Sequence, residues 1–91
     1  MRTIYKYQLD GIRTTIDVPF GAKALTVQVL HNGPTLWMLV DTSNTLVSRT
    51  FVMCGTGYDV PENIGEYIGT FQEKGGLFVA HVFEETKHAV D

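Results

Sequence analysis

The sequence predicts an all-β fold, a small antiparallel meander of about seven strands forming a barrel or a two-sheet sandwich. Three observations predict it. Apolar residues recur with a period of two, the repeat of a half-buried strand, and not with the helical repeat. Turn-forming residues punctuate the chain at short intervals. The links between apolar segments are short, and short links favour antiparallel neighbours, because parallel pairs need long crossovers.

The elements follow in order. Asp10-Gly11 separates "TIYKYQL" from "RTTIDVP", and "FGAK" separates that segment from "ALTVQVLH". The alternation there puts Leu25, Val27 and Val29 on one face, with Thr26 and Gln28 on the other. Asn32-Gly33 leads into "TLWMLVD" and suits a type I′ hairpin turn, which requires φ > 0 at both central positions. "TSN" leads to "TLVSRTFVMC", and a Gly-Thr-Gly loop leads to "EYIGTFQ". "EKGG" joins that strand to "LFVAHVFE". Pro61 suits a first helical position, so "VPENIG" allows at most a short helical turn near 61–65.

Ninety-one residues make one domain. We assign 1–85 to a single β domain and 86–91 to a polar C-terminal tail. Several strands are apolar on both faces. In "TLWMLVD", Leu36, Met38 and Val40 oppose Trp37 and Leu39; in "LFVAHVFE", Leu77, Val79, His81 and Phe83 oppose Phe78, Ala80 and Val82. Two-sided strands need two covers, the domain's own core and something else. A second copy supplies the other cover most simply, so a homo-oligomer is expected, a two-fold dimer in its simplest form.

Bulk properties narrow the function. The single cysteine, Cys54, allows no intramolecular disulfide, which fits a reducing compartment. "MRTIYKYQLDG" has no apolar signal-peptide core, and "LWMLV" is far too short to span a bilayer. A soluble, cytosolic protein with no membrane partner is the expectation. The net charge of −3 hides an asymmetry. Residues 1–58 carry five bases against three acids, and residues 59–91 carry two bases against seven acids. The bases stand singly, whereas a nucleic-acid polymer wants a concentrated basic patch.

Gly55-Thr56-Gly57 raises the question of a backbone cradle for phosphate. It lacks the Lys-Ser/Thr of a P-loop and the third glycine of a dinucleotide fingerprint. It reads first as a strand terminus needing φ > 0, with ligand contact as the alternative. Arg49 shares a face with apolar Val47, Phe51 and Met53; there it snorkels at an edge or meets an anion. On one straight strand, Arg49 and Gly55 stand roughly 20 Å apart, too far to clamp one phosphate. Gly69, inside "YIGTF", marks a bulge or a close backbone approach. Simple alternation sends Thr70 and Gln72 to the face opposite Tyr67 and Phe71. Thr70, Gln72 and Gln28 can hydrogen-bond a base or ribose, and Trp37, Tyr58 and Tyr67 can stack on an adenine, or each can be ordinary sheet surface and core.

Catalytic groups are not readable. Cys54 has no evident activating base beside it. His31, His81 and His88 lack metal-ligand spacing, and His81 reads as a hydrogen-bonded core histidine. Glu84 and Glu85 point to opposite faces of a strand. The expectation is a protein that is not an enzyme and uses no cofactor or metal.

The segments "TIYKY", "VPFGAKALTVQ", "LWMLVD", "RTFVMCGTG" and "YIGTFQEKGGLFVAHVFE" together resemble a family of small bacteriophage proteins of unassigned function. They cover about residues 1–85. The resemblance implies a phage accessory protein made in the host bacterial cytoplasm. Small oligomeric phage proteins include sponges that bind host immune nucleotides, such as cyclic ADP-ribose isomers or cyclic dinucleotides, and withhold them from effectors. By that analogy the ligand is a small nucleotide, with Arg49, Gly55, Thr56, Gly57, Tyr58, Trp37, Gln28, Thr70 and Gln72 as candidate contacts. The alternatives are a protein–protein inhibitor of a host enzyme, for which the acidic second half would meet a basic surface, and a small structural component of the virion.

Overall fold

The β-branched and aromatic alternation forms strands along most of the chain. The computed structural model describes residues 1–86. Its strands are β1 (Arg2–Gln8), β2 (Arg13–Pro19), β3 (Lys23–Leu30), β4 (Gly33–Asp41), β5 (Leu46–Gly55), β6 (Ile64–Glu73) and β7 (Phe78–Glu85). They make two antiparallel sheets, a three-stranded one in the order β1-β4-β3 and a four-stranded one in the order β2-β5-β7-β6. The fold is a two-sheet sandwich and not a closed barrel. The expected tail, 86–91, lies outside the described residues except for Thr86. That residue is tied to the Asn63 carbonyl through its backbone N–H at 2.8 Å and its hydroxyl at 2.9 Å.

The connectivity departs from a simple meander. Only β3–β4 and β6–β7 pair as consecutive strands; β1 pairs with β4 and β2 with β5. Short links do not always make hairpins, because at the rim of a sandwich a few residues also carry the chain from one sheet to the other. The 9–12 link does this, held by Leu9 N–H on the Pro34 carbonyl and Met53 N–H on the Ile12 carbonyl.

The inner faces bury Val18, Val27, Leu36, Met38, Val40, Phe51, Phe71, Ala80 and Val82 in one cluster. Leu36, Met38 and Val40, which alternation sets on one face, lie inside. Leu25 does not. A register shift between Ala24 and Thr26 puts Ala24 opposite Met38 and leaves Leu25 exposed. A bulge inserts one residue and so inverts the phase of everything before it.

One turn expectation is corrected. His31-Asn32 makes the β3–β4 turn, and positive φ occurs at Gly33 alone (112°), so Asn32-Gly33 is not a type I′ pair. The 61–65 segment stays within the expected limit of one short turn, with turn residues at 62–63 leading directly into β6; the one helical element among the described residues is a 3-10 turn at Lys74–Gly76. A Cβ on Gly65 would stand 2.7 Å from the Glu84 carbonyl oxygen.

Gly69 fulfils both roles expected of it. The β6–β7 register shifts between Tyr67 and Gly69, and a Cβ on Gly69 would stand 3.0 Å from Val27 Cγ1. This is where the β3 and β6 edges of the two sheets approach each other.

The outer face of the four-stranded sheet has its own cover. Val52 and Cys54 face away from the main core, yet both are buried. The chain after β5 folds back so that Tyr58, Asp59 and Pro61 line the same recess as those two residues. The molecule itself therefore supplies part of the second cover that two-sided strands demand.

Candidate functional site

Antiparallel register builds the candidate site on that outer face. Cys54 on β5 lies opposite His81 on β7, and Thr70 on β6 lies opposite His81 from the other side. The bulge before Gly69 sets Tyr67 opposite Phe83, two residues from His81. Tyr67 thus joins the face that carries Thr70, contrary to simple alternation. One inserted residue explains the reversal, because strand side chains change face with each residue.

These side chains form a hydrogen-bonded row. Thr56 Oγ1 lies 2.7 Å from His81 Nε2, His81 Nδ1 lies 2.9 Å from Thr70 Oγ1, and Thr70 Oγ1 lies 2.6 Å from the Tyr67 hydroxyl. A neutral imidazole has one donor nitrogen and one acceptor nitrogen, so one threonine accepts from the ring while the other donates to it. The row can reverse its polarity by moving the ring proton from one nitrogen to the other. Its ends, the Thr56 and Tyr67 hydroxyls, can then meet either a donor or an acceptor. Tyr67 also packs edge-on against Phe83, with centroids 5.4 Å apart.

The row lines a recess of about 320 Å³ whose wall includes Tyr58, Val60 and Phe83. None of its lining residues is an acid, a lysine or an arginine. The Gly55–Tyr58 segment forms its rim as a tight turn. Tyr58 N–H bonds the Gly55 carbonyl at 3.1 Å, and Gly57 has φ = 86°. Thr56 N–H is spent on the Val79 carbonyl at 3.3 Å. With the amides of Thr56 and Tyr58 engaged internally, the loop does not offer the row of free N–H groups that cradles a phosphate. Gly-Thr-Gly ends the strand, and its contribution to the recess is the Thr56 hydroxyl.

Arg49 lies at the other end of β5, on the inner face. Its Nε and one terminal nitrogen make a bidentate pair with the Glu84 carboxylate at 2.7 and 2.8 Å, and its other terminal nitrogen donates to the Ala22 carbonyl. Both side chains of the pair are about four-fifths buried. The hydrogen bond to Glu84 holds the Arg49 pKa above its ordinary value against the opposing cost of burial, and the fields of Glu84 and Glu66 add to it. A larger cleft of about 540 Å³ opens beside this pair, lined by Phe20, Val47, Glu66 and Glu84 among others. An anion entering it would have to displace Glu84 and approach Glu66. On the outer face, Arg13 makes a second bidentate pair with Glu85 at 2.9 and 2.6 Å, so Glu84 and Glu85 do point apart.

The structure therefore divides the predicted contacts. Gly55, Thr56, Gly57, Tyr58 and Thr70 come together at the recess. Gln72 lies on the same face one step along β6, opposite Val79 and outside the recess. Gln28 and Trp37 lie on the outer face of the other sheet, opposite Thr35 and Thr26 respectively. Arg49 belongs to the internal pair. Sequence reasoning left His81 and Phe83 out of the site, and they line its floor. The one signal for them was a histidine on a strand apolar on both sides. Cys54 lies opposite His81, a neighbour that sequence spacing did not reveal, but both ring nitrogens bond threonine hydroxyls.

A family model described as a domain of unknown function (DUF7352) matches residues 1–91, and the chain belongs to that family. No curated protein and no solved structure matches the chain.

Proposed function

We propose that the protein is a non-catalytic binder of a small nucleotide, and that it holds the base and sugar of that ligand in the outer-face recess. The observation that carries this reading is the row Thr56–His81–Thr70–Tyr67 lining an uncharged recess beside Tyr58 and Phe83. Hydroxyls of switchable polarity suit the mixed donor and acceptor edges of a base or ribose, and aromatic rings suit its faces. A recess near the lower limit of ligand pockets, roughly 300 Å³, takes a nucleoside moiety and leaves the phosphates toward solvent. The role that fits such a site, together with the resemblance to phage proteins, is sequestration of a host nucleotide signal in the bacterial cytoplasm.

The test is thermal unfolding against adenosine, guanosine, ADP-ribose and its cyclic forms, cyclic dinucleotides and NAD. A ligand at about 100 times its dissociation constant adds about 2.7 kcal/mol. In a domain of this size that raises Tm by roughly 10 °C or more. The shift should vanish in Thr70→Val and persist in Arg49→Lys. No shift with any compound at millimolar concentration would overturn the proposal, as would a shift that Thr70→Val leaves intact.

A further inference from the structure

The sandwich has four strand edges, and they are not equivalent. The β3 and β6 edges approach each other at Val27 and Gly69. The β1 and β2 edges remain open among the described residues. In an antiparallel ladder, alternate residues direct both backbone groups toward the partner strand, and the residues between them direct both away. Leu9 N–H bonds the Pro34 carbonyl and Thr42 N–H bonds the Met1 carbonyl, in register with the β1–β4 pairing. The odd-numbered residues of β1 therefore face β4. Arg2, Ile4, Lys6 and Gln8 turn their N–H and C=O groups outward.

The same argument applied to β2 uses Met53 N–H on the Ile12 carbonyl and Phe20 N–H on the Thr45 carbonyl. Its outward residues are Arg13, Thr15, Asp17 and Pro19. This edge is guarded. Pro19 has no N–H, its carbonyl already accepts from Ala22 N–H at 3.1 Å, and Arg13 and Asp17 place charges along the rest. The β1 edge has no proline or glycine, its outward charges Arg2 and Lys6 are of one sign and stand apart, and Ile4 and Tyr5 are exposed on it.

We propose that β1 pairs with β1 of a second copy, antiparallel about a two-fold axis at Tyr5, joining two three-stranded sheets into one of six strands. The argument for a second copy is that this strand complements itself in one register. Centred on Tyr5, all seven residues overlap. The outward backbone groups then meet in the pairs Ile4 with Lys6 and Arg2 with Gln8, making about eight hydrogen bonds. Tyr5 falls opposite Tyr5 of the second copy in a non-hydrogen-bonded pair, where cross-strand side chains come closest. Recentring on Ile4 sets Arg2 against Lys6, and recentring on Lys6 sets that lysine against itself. Both place like charges directly opposite, which destabilises a sheet.

The experiment is light scattering and sedimentation velocity of the whole chain from micromolar to near-millimolar concentration. The expected result is a mass that rises to twice that of the monomer. Ile4→Pro removes an outward N–H without touching the β4 ladder, and should hold the protein as a monomer with an unchanged circular dichroism spectrum. If that variant misfolds, Ile4→Lys decides the matter, because it sets lysine against lysine across the axis. Register is read in a Cys54→Ser background: Tyr5→Cys should oxidise to a covalent dimer and Thr3→Cys should not. A monomer at every concentration overturns the proposal, as does a dimer that survives Ile4→Lys. Crosslinking through Thr3→Cys in place of Tyr5→Cys overturns the register.

Discussion

The two ends of the β5–β7 ladder carry polar networks of opposite character. At one end Arg49 and Glu84 form a charged pair on the inner face, about four-fifths buried and completed by the Ala22 carbonyl. At the other, Thr56, His81, Thr70 and Tyr67 form an uncharged row on the outer face, beside an open recess. A charged group buried this far must be matched within the protein, because an unpaired charge there is costly. Once matched, it has little left to offer a ligand. Hydroxyls and a neutral imidazole need less compensation, so they can stand in a recess with capacity unused. The first end fastens the sheet, and the second leaves hydrogen-bonding capacity facing the recess.

The difference can be broken most severely at the charged end. Gly65→Ala forces a Cβ to within 2.7 Å of the Glu84 carbonyl oxygen, which is backbone and cannot swing aside. We expect a loss of about 3 kcal/mol, the upper range for overpacking, read as a denaturant midpoint shift. Glu84→Gln keeps the shape and removes the charge opposite Arg49. The expected loss is about 2 kcal/mol, below that of a fully buried pair because solvent still screens this one. The double variant Arg49→Met, Glu84→Leu should recover most of it, since an apolar replacement leaves no charge stranded.

At the neutral end, Thr70→Val should cost only about 1 kcal/mol of stability, the worth of an ordinary hydrogen bond, while abolishing the ligand-induced Tm shift. A variant that lost several times as much stability would make the row a structural fastener like the Arg49 pair. The smallest effect is expected at Arg13→Ala. Its pair with Glu85 has the geometry of the Arg49 pair, but the Arg13 side chain is 60 % exposed although Glu85 is only 14 % exposed, so its melting curve should fall only slightly below the parent's. Burial, and not bidentate geometry, separates those two arginines.

Some of this was legible from single residues. Alternation placed Leu36, Met38 and Val40 on one face, set Arg49 on the same face as Phe51, and sent Glu84 and Glu85 to opposite sides. Gly69 announced a bulge or a close approach, and the structure has both. What the bulge did to Tyr67 was not legible, because one inserted residue reverses the face of a side chain and no pattern in "EYIGTFQ" shows where the insertion falls. The same fault misplaced Leu25. For Arg49 the local pattern offers an edge or an anion and does not show Glu84, which is 35 positions away. Trp37 and Gln28 were grouped with the glycine loop, although they belong to the other sheet.

By itself, then, the sequence determined the class of this protein: strands, their approximate bounds and, along most of them, which residues share a face. Those follow from local forces, the period of two along a strand and the turn preferences of a few residues, which act between near neighbours. Tertiary structure alone decided that short links cross between sheets, that His81 stands between Thr56 and Thr70, and that Arg49 is spent on Glu84. Each of these depends on which strand lies beside which and in what register. Register is set by the packing of two whole sheets against each other, a sum over distant pairs that no local pattern contains.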